Sequence, residues 1–370
     1  MSRTSIPEKV KIRLWGKAAG RCQYEGCNTP LWYDSITKSE FNAAYIAHIV
    51  ADSPDGPRGD SERSVLLSKD IANLMLLCDV HHRLIDRDQV EQHPEELLLR
   101  MKKKHEEKME LLTSLVDDKE SQVLLYGANI GLNGSKISME KAIYAMLPER
   151  YPTDKLGLEL SFGNSKIRDD EDLYWMIEKE NLKRQFNDKV LPRLEAGVNH
   201  LSVFALAPQP LLIELGRLLS DIQATEVYQL HREPSDWKWQ ESPENFEYHI
   251  LHPDRKFEKV ALNISLSGTI DKSRIFDVIG SDTSIWTLTI ETPYNDFLKS
   301  REQLKQFREI FRKLMDLIKA EHGHQNEIHL FPAAPASVAV EIGRVWMPKA
   351  DLPLNIYDEN NGFSLVMKIE

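Results

Sequence analysis

Three cysteines and a pair of adjacent histidines are the residues of this 370-residue chain whose types and spacing could do chemistry. Cys22 and Cys27 bracket Gln23-Tyr24-Glu25-Gly26, and Cys78 stands three residues before His81 in the run Asn73-Leu74-Met75-Leu76-Leu77-Cys78-Asp79-Val80-His81-His82. A thiolate and an imidazole three residues apart can grip one zinc ion across a tight turn, and two further donors close the tetrahedron. Gly26 supplies the permissive backbone a ligand loop needs. Free cysteines most often behave as small buried hydrophobes. Here, however, every thiol falls in the first quarter of the chain, in two short knuckles, and an odd count does not suit a disulfide framework. The expected zinc set is therefore Cys22, Cys27, Cys78 and His81. Zinc closed by four protein ligands is structural, which leaves His82, His48 in Ala47-His48-Ile49-Val50 and the carboxamide of Asn73 for other work.

The order of these features (a first knuckle, an Ala-His-Ile strand, an Asn-Leu-x-x-Leu-Cys turn and a closing His-His) resembles the HNH endonucleases, the ββα-metal nuclease class. The resemblance implies that His48 is the general base that activates water and that Asn73 orients its ring. It also implies that His82 binds a catalytic divalent cation, Mg²⁺ or another, beside the scissile phosphate. The chemistry is coherent, because water needs a base of near-neutral pKa and the developing charge needs a cation. Taken alone, His48 would read as a satisfied histidine within a strand; the ordered pattern gives it a role. Two departures from the family stand out. Ala47 occupies the place where many members carry a metal ligand, which leaves the second protein ligand of the cation open, with Asp79 and Asp86 near in sequence. The first knuckle is also wider than the common two-residue spacing, and His81 stands where a fourth cysteine is usual, a replacement that zinc accepts.

The elements that must position these residues follow from pattern. Pro7 opens a short helix over 7–19, a strand is expected around Phe41 to Val50, and Ser53-Pro54-Asp55-Gly56-Pro57-Arg58-Gly59-Asp60 reads as a loop. Ile71 to Leu77 leads into the second knuckle, a helix begins near His82, and Pro94 starts a longer one that runs to about Val116. Charge divides the chain. Residues 1–116 carry 17 lysines and arginines against 18 acidic residues, whereas the remainder carries 30 against 40, so the net charge of -11 belongs to the second part. Within the first, Arg3, Lys9, Lys11, Arg13, Lys17 and Arg21 face only Glu8, and Lys102-Lys103-Lys104 forms a second cluster. Such stripes suit phosphate contacts without base readout, or equally a solvated helix face.

The second half contains an internal repeat. Leu201-Ser202-Val203-Phe204-Ala205-Leu206-Ala207-Pro208 through Arg217 aligns, at a constant offset of 127, with Ile328-His329-Leu330-Phe331-Pro332-Ala333-Ala334-Pro335 through Arg344. Each copy reads as strand, Pro-containing turn and helix, preceded by a strand and a long helix (156–162 then 171–194; 285–291 then 301–319). Strands alternating with helices imply parallel sheets with Rossmann-like windings. With Asp236-Trp237-Lys238-Trp239 and Phe331-Pro332-Ala333-Ala334-Pro335, this half resembles a SAVED domain, the fused pair of CARF-like lobes that senses cyclic oligonucleotides in bacterial antiphage signalling. The combined resemblance is to the HNH–SAVED effectors of CBASS defence, which degrade DNA when a phage-triggered cyclase makes its messenger.

The expected fold is thus an α+β zinc-bound ββα-metal domain over 1–116 and a linker over 117–150. An α/β SAVED domain of two lobes follows over 151–370, its repeats at about 156–228 and 285–357. The resemblance implies an abortive-infection endonuclease that cuts double-stranded DNA with little sequence preference. It further implies an activator that is a cyclic di- or trinucleotide of the cyclic GMP-AMP type, and a homo-oligomer that grows when the messenger binds. Candidate messenger contacts lie on the loops after strands: Lys166, Arg168, Gln209, Trp237, Trp239, Tyr294 and Ser337, cations for phosphates and aromatics for bases. The tryptophans equally suit core packing, because their alternating spacing places both on one face of a strand. Two other functions compete: a restriction nuclease whose second half reads modified DNA, which the acidic balance disfavours, and a non-catalytic zinc DNA-binding regulator. No apolar run is long enough to cross a bilayer and no signal-peptide core is evident, so a soluble, cytoplasmic bacterial protein is expected.

Overall fold

The structure is a computed structural model that describes residues 4–34, 36–114, 119–130, 137–161, 169 and 171–370. The chain divides into two compact units, Met1–Val116 and Asp117–Glu370. Among the described residues no helix is long and apolar enough to cross a membrane.

The first unit is small and built around a two-stranded sheet. Helix α1 (Glu8–Lys17) precedes a long irregular segment that carries the first cysteine knuckle. Strand β1 (Tyr45–His48), the short helix α2 (Arg63–Leu67), strand β2 (Leu74–Leu77) and helix α3 (Asp79–Arg83) follow, α3 continuing as a wider turn over Leu84–Asp88. β1 and β2 pair antiparallel, Tyr45 opposite Leu77 and His48 opposite Leu74. All four residues of β2 are buried, so this strand is the spine of a core that also holds Leu14, Leu31, Ile49, Ile85, Leu98 and Met101. Helix α4 (Glu95–Thr113) closes the unit.

The second unit holds two sheets wound in the same order. In chain order it comprises β3 (Glu120–Gly127), α5 (Met139–Met146), β4 (Tyr151–Pro152), β5 (Leu158–Ser161), α6 (Asp172–Gln185), α7 (Leu191–Glu195), β6 (Leu201–Leu206), α8 (Gln209–Leu219) and β7 (Thr225–Tyr228). There follow β8 (His249–Leu251), β9 (Lys259–Ser265), α9 (Lys272–Ile279), β10 (Thr283–Thr289), α10 (Arg301–His322), β11 (Ile328–Ala333), α11 (Ala336–Val345), β12 (Leu354–Glu359) and β13 (Phe363–Ile369). The first sheet runs β4-β3-β6-β7, with β5 also on β3, and every pairing in it is parallel. The second runs β13-β12-β11-β9-β10-β8; its inner pairs are parallel and its edge strands β8 and β13 antiparallel. The near-continuous burial of β6 and β9 is what strands covered on both faces require.

The segment expected to be a linker over 117–150 instead supplies β3, an inner strand of the first sheet, and α5. Each lobe accordingly starts earlier than the expected bounds, the first at β3, with α5 and the two-residue β4 before residue 156, and the second at β9, with α9 before residue 285. The reason is positional. The first strand of each winding sits in the middle of its sheet, so Leu124 and Leu262 lie at the bottom of a shared core although their segments carry little repeat signal.

The repeat itself lies at the crossing of α8 and α11. A Cβ built on Gly216 would lie 1.9 Å from the Val340 carbonyl oxygen, and one built on Gly343 would lie 1.9 Å from that of Ile213. The pairs correspond under the offset of 127, so the two helices cross backbone to backbone about an approximate twofold axis, which only glycine permits. Glu214 and Arg217 pair within α8, and Glu341 and Arg344 within α11, closing the coincidence of repeated residues.

Candidate functional site

The two cysteine knuckles converge because Gln23 behaves as a short extra strand beside β2. Its backbone N–H donates to the Leu76 carbonyl (2.9 Å), and its side-chain oxygen accepts from the Leu76 N–H (2.8 Å). Cys22 is thereby carried to the end of β2, where Cys78 and α3 begin. The Cys27 N–H donates to the Tyr24 carbonyl (3.0 Å), and Gly26 adopts φ +85°, which closes the turn.

Cys22, Cys27, Cys78 and His81 offer four ligand atoms that lie within 4.8 Å of one another. His81 Nδ1 stands 3.1 Å from Cys78 Sγ and 3.7 Å from Cys22 Sγ. Tetrahedral bonds of about 2.0–2.3 Å to nitrogen and sulfur place neighbouring donors roughly 3.5–3.8 Å apart, so the cluster fits a small tetrahedral cation. Neighbouring groups hold the donors. Tyr24 stacks on the His81 ring at 4.1 Å, its hydroxyl meets His93 Nε2 at 3.0 Å, and Cys27 Sγ lies 3.1 Å from the Thr29 hydroxyl. Burial pushes the Cys22 thiol well above the ordinary thiol range, against backbone hydrogen bonds from Cys78 and Tyr24. At Cys27 burial also works upward, but hydrogen bonds with Thr29, Cys22 and Cys78 outweigh it and lower the thiol.

His82, the next residue on the helix, does not join this cluster. Successive helical residues point about 100° apart. Its ring stacks on Tyr45 of β1 at 4.8 Å, and its Nε2 stands 3.3 Å from Asp86 Oδ2, one helical turn on. Burial lowers its pKa, with Asp86 working upward. Asp79, the other acidic neighbour considered from sequence, turns away and pairs with Arg83 at 2.7 Å.

His48 closes β1 and is buried, with its Nε2 2.9 Å from the Ser68 carbonyl. A carbonyl only accepts, so Nε2 carries the proton and the lone pair rests on Nδ1. No hydrogen bond joins Asn73 to this ring, contrary to the expected role. Its side chain instead clamps Val50, accepting from the Val50 N–H and donating to the Val50 carbonyl, both at 2.8 Å. Asn73 fixes the chain two residues beyond His48, and Ser68 fixes the ring. Neither Ser68 nor Arg58, which bonds to Asp86 and to backbone near His48, was legible as a site residue; a loop serine and a loop arginine have no periodic signal.

In the second unit, a cleft of about 620 Å³ opens at the carboxyl ends of strands from both sheets, lined by Leu206, Gln229, His231, Ser267, Ala334 and Pro335 among others. That is where open α/β sheets place ligands. The individual contacts expected there are redistributed. Trp237 is 3% exposed and packs edge-on against Phe204 at 5.3 Å, so it is a core residue and not a stacking platform. Ser337 is buried and donates to the Gln229 side-chain oxygen at 2.8 Å, while Gln209 accepts from the Ala334 N–H at 2.9 Å. Both therefore tie the lobes together. Trp239 is partly buried and donates to Glu226 at 3.2 Å; Tyr294 is half exposed. Lys166 and Arg168 lie outside the described residues. His231, fully buried in the cleft wall, carried no signal in sequence.

The profile of one protein family, the SMODS-associated and fused to various effectors sensor domain (SAVED), matches residues 182–369, half of the chain. The chain belongs to the SAVED family. The match begins inside α6, and the winding of the first sheet extends the SAVED half back to β3. Among solved structures, the SAVED chain is similar to the Acinetobacter baumannii Cap4 SAVED/CARF-domain containing receptor with the cyclic trinucleotide 2'3'3'-cAAA, at 14% identity and a TM-score of 0.43 over 84% of this chain and 66% of that one. A second structure of the Acinetobacter baumannii Cap4 SAVED/CARF-domain containing receptor is similar at 13% identity and a TM-score of 0.43, covering 84% of this chain and 65% of that one. The Moraxella osloensis Cap4 receptor follows at 12% identity and a TM-score of 0.37, covering 78% and 60%. The chain thus spans less than two thirds of the length of these receptors. No curated protein matches it.

Proposed function

We propose that this SAVED protein is a cyclic-oligonucleotide-gated, metal-dependent DNA endonuclease of the HNH type that serves as a CBASS antiphage effector. The observation that carries the nuclease reading is the division of work between His81 and His82. His81 completes the Cys3His cluster, assigned to structural zinc, while His82 turns away from it to Asp86 and Tyr45, where a zinc knuckle has no use for it. His48 supplies the base: with Nε2 fixed on Ser68, Nδ1 takes the proton of the attacking water. His82 Nε2 and Asp86 Oδ2 are assigned as the protein ligands of Mg²⁺ or another divalent cation, which supplies charge stabilisation at the phosphate and the leaving oxygen. The exposed basic residues of α1, Lys9 and Arg13 among them, are assigned to the DNA backbone, which makes cleavage nearly indifferent to sequence. The lysine cluster expected beside them is not free for it, since Lys102 is buried against Glu106 and Lys103 and Lys104 pair with Glu107 and Glu25.

Sensing is assigned to the cleft between the SAVED lobes, with a cyclic di- or trinucleotide as ligand and assembly of copies as its consequence. A His48→Ala chain that keeps its zinc and its fold but loses plasmid cleavage supports the reading. Cleavage by His48→Ala near the wild-type rate refutes it.

A further inference from the structure

Arg58 belongs to a loop that sequence assigns no task, yet its side chain is only 8% exposed and every polar contact it makes lies between the two candidate histidines. The loop is drawn tight enough to aim it inward: a Cβ on Gly59 would lie 2.2 Å from the Pro54 carbonyl oxygen, so the chain folds back on itself there. From that loop the guanidinium Nε donates to the Ile49 carbonyl at 2.7 Å, and one terminal nitrogen donates to the Ile85 carbonyl at 2.7 Å. The other donates to Asp86 Oδ1 at 2.7 Å, with the His48 carbonyl at 3.5 Å. One side chain therefore joins the end of β1, which carries His48, to the turn after α3, which follows His82. A buried guanidinium is tolerated only when its donors are met, and its planar fork is what lets it meet acceptors on two elements at once.

The contact with Asp86 does more than hold two elements together. By taking Oδ1, Arg58 leaves Oδ2 facing His82 Nε2 at 3.3 Å. Adjacent ligands of an octahedral cation with bonds of about 2.1 Å stand roughly 3 Å apart, so the two atoms are already spaced as neighbours in such a shell. Both side chains are about one quarter exposed, so the pair is reachable from solvent. Tyr45 fixes the other rotation, stacking on the His82 ring.

We propose that Arg58 is a positioning residue of the cation site, which orients the Asp86 carboxylate toward His82 and locks that pair to the strand of the general base. The proposal rests on the cation reading given above, and its test separates the two. The zinc-loaded full chain is titrated with Mn²⁺, free Mn²⁺ being read by its paramagnetic resonance, in wild type, His82→Ala, Arg58→Met and Arg58→Lys, with zinc content and melting temperature measured alongside. Arg58→Met is expected to bind Mn²⁺ about tenfold more weakly at unchanged zinc content, and Arg58→Lys, which keeps the charge without the fork, to fall between. The Mg²⁺ concentration for half-maximal cleavage shifts in the same order, while the rate at saturating Mg²⁺ recovers.

If His82→Ala binds Mn²⁺ as tightly as wild type, the cation reading fails and the proposal falls with it. If His82→Ala loses the ion while both Arg58 variants bind like wild type, the cation site stands and the role of Arg58 is refuted. A purely structural brace lowers melting temperature and zinc content without changing Mn²⁺ affinity in the folded fraction. Tighter Mn²⁺ binding in Arg58→Met would make the guanidinium a competitor of the cation, which also overturns the proposal. Should Arg58→Met fail to fold, the comparison of Arg58→Lys with wild type decides.

Discussion

A neutral imidazole serves as a base only if one nitrogen is held and the other is left for the proton. His48 meets that condition through Ser68, not through the asparagine that family likeness suggested. His48→Ala is therefore expected to lower cleavage by at least about 10²-fold, the usual contribution of a general base, with zinc content unchanged. Asn73→Ala acts differently, because it frees both main-chain groups of Val50. It is expected to lower melting temperature together with activity, a coupling that parallel thermal and cleavage assays read directly. Cys78→Ala should lose metal and fold of the first unit at once, since structural metal binding is folding free energy; a folded, active, metal-free variant contradicts the cluster. The cluster was legible because cysteine and histidine spacing is itself chemistry. The hydrogen bonds that aim His48 and Asp86 were not, because a backbone carbonyl and a loop arginine leave no pattern in sequence.

Helices α8 and α11 cross at the closest backbone approach among the glycines described, and the repeated Gly216 and Gly343 permit it. Gly216→Ala should cost about 3 kcal/mol, seen as a lower melting temperature of the SAVED half, since the added methyl meets the Val340 carbonyl and not a yielding side chain. The repeat was readable at this crossing because symmetric contacts demand the same residues in both copies. Strand β3 escaped because its place in the sheet is a tertiary fact: a short apolar run that leads into Gly127, Gly131 and Gly134 looks like part of a loop until a neighbouring strand pairs with it. A half-buried histidine immediately before β6 makes a pH prediction. Burial, helped by Arg150 and Arg344, lowers His200 to about 4, and its Nδ1 lies 2.8 Å from the Ser121 hydroxyl. The unfolded chain binds this proton near pH 6.5, so its stabilising effect is complete above that pH and is lost as pH falls toward 4. His200→Gln should flatten part of the fall in melting temperature over that window.

A nuclease able to cut the genome of its own cell must rest inactive, and a messenger can shift that rest only by its differential affinity for the active form. In the proposed function the place for such a ligand is the cleft at the carboxyl ends of strands from two sheets, whose helices α8 and α11 cross in close contact. A pair of lobes fixed backbone to backbone is poorly suited to closing like jaws, so assembly of copies is the more natural response. Light scattering should then report a larger particle with the cognate cyclic oligonucleotide, and cleavage should weaken steeply with salt, as phosphate contacts by scattered lysines and arginines require. The most direct measurement is the cutting of supercoiled, unmodified plasmid in Mg²⁺ by the full chain, with and without a panel of cyclic di- and trinucleotides. A messenger-gated nuclease gives unbroken plasmid alone, and with one member of the panel gives fragments of no fixed length that His48→Ala does not produce. Intact plasmid with every messenger, or cutting that no messenger changes, would contradict it.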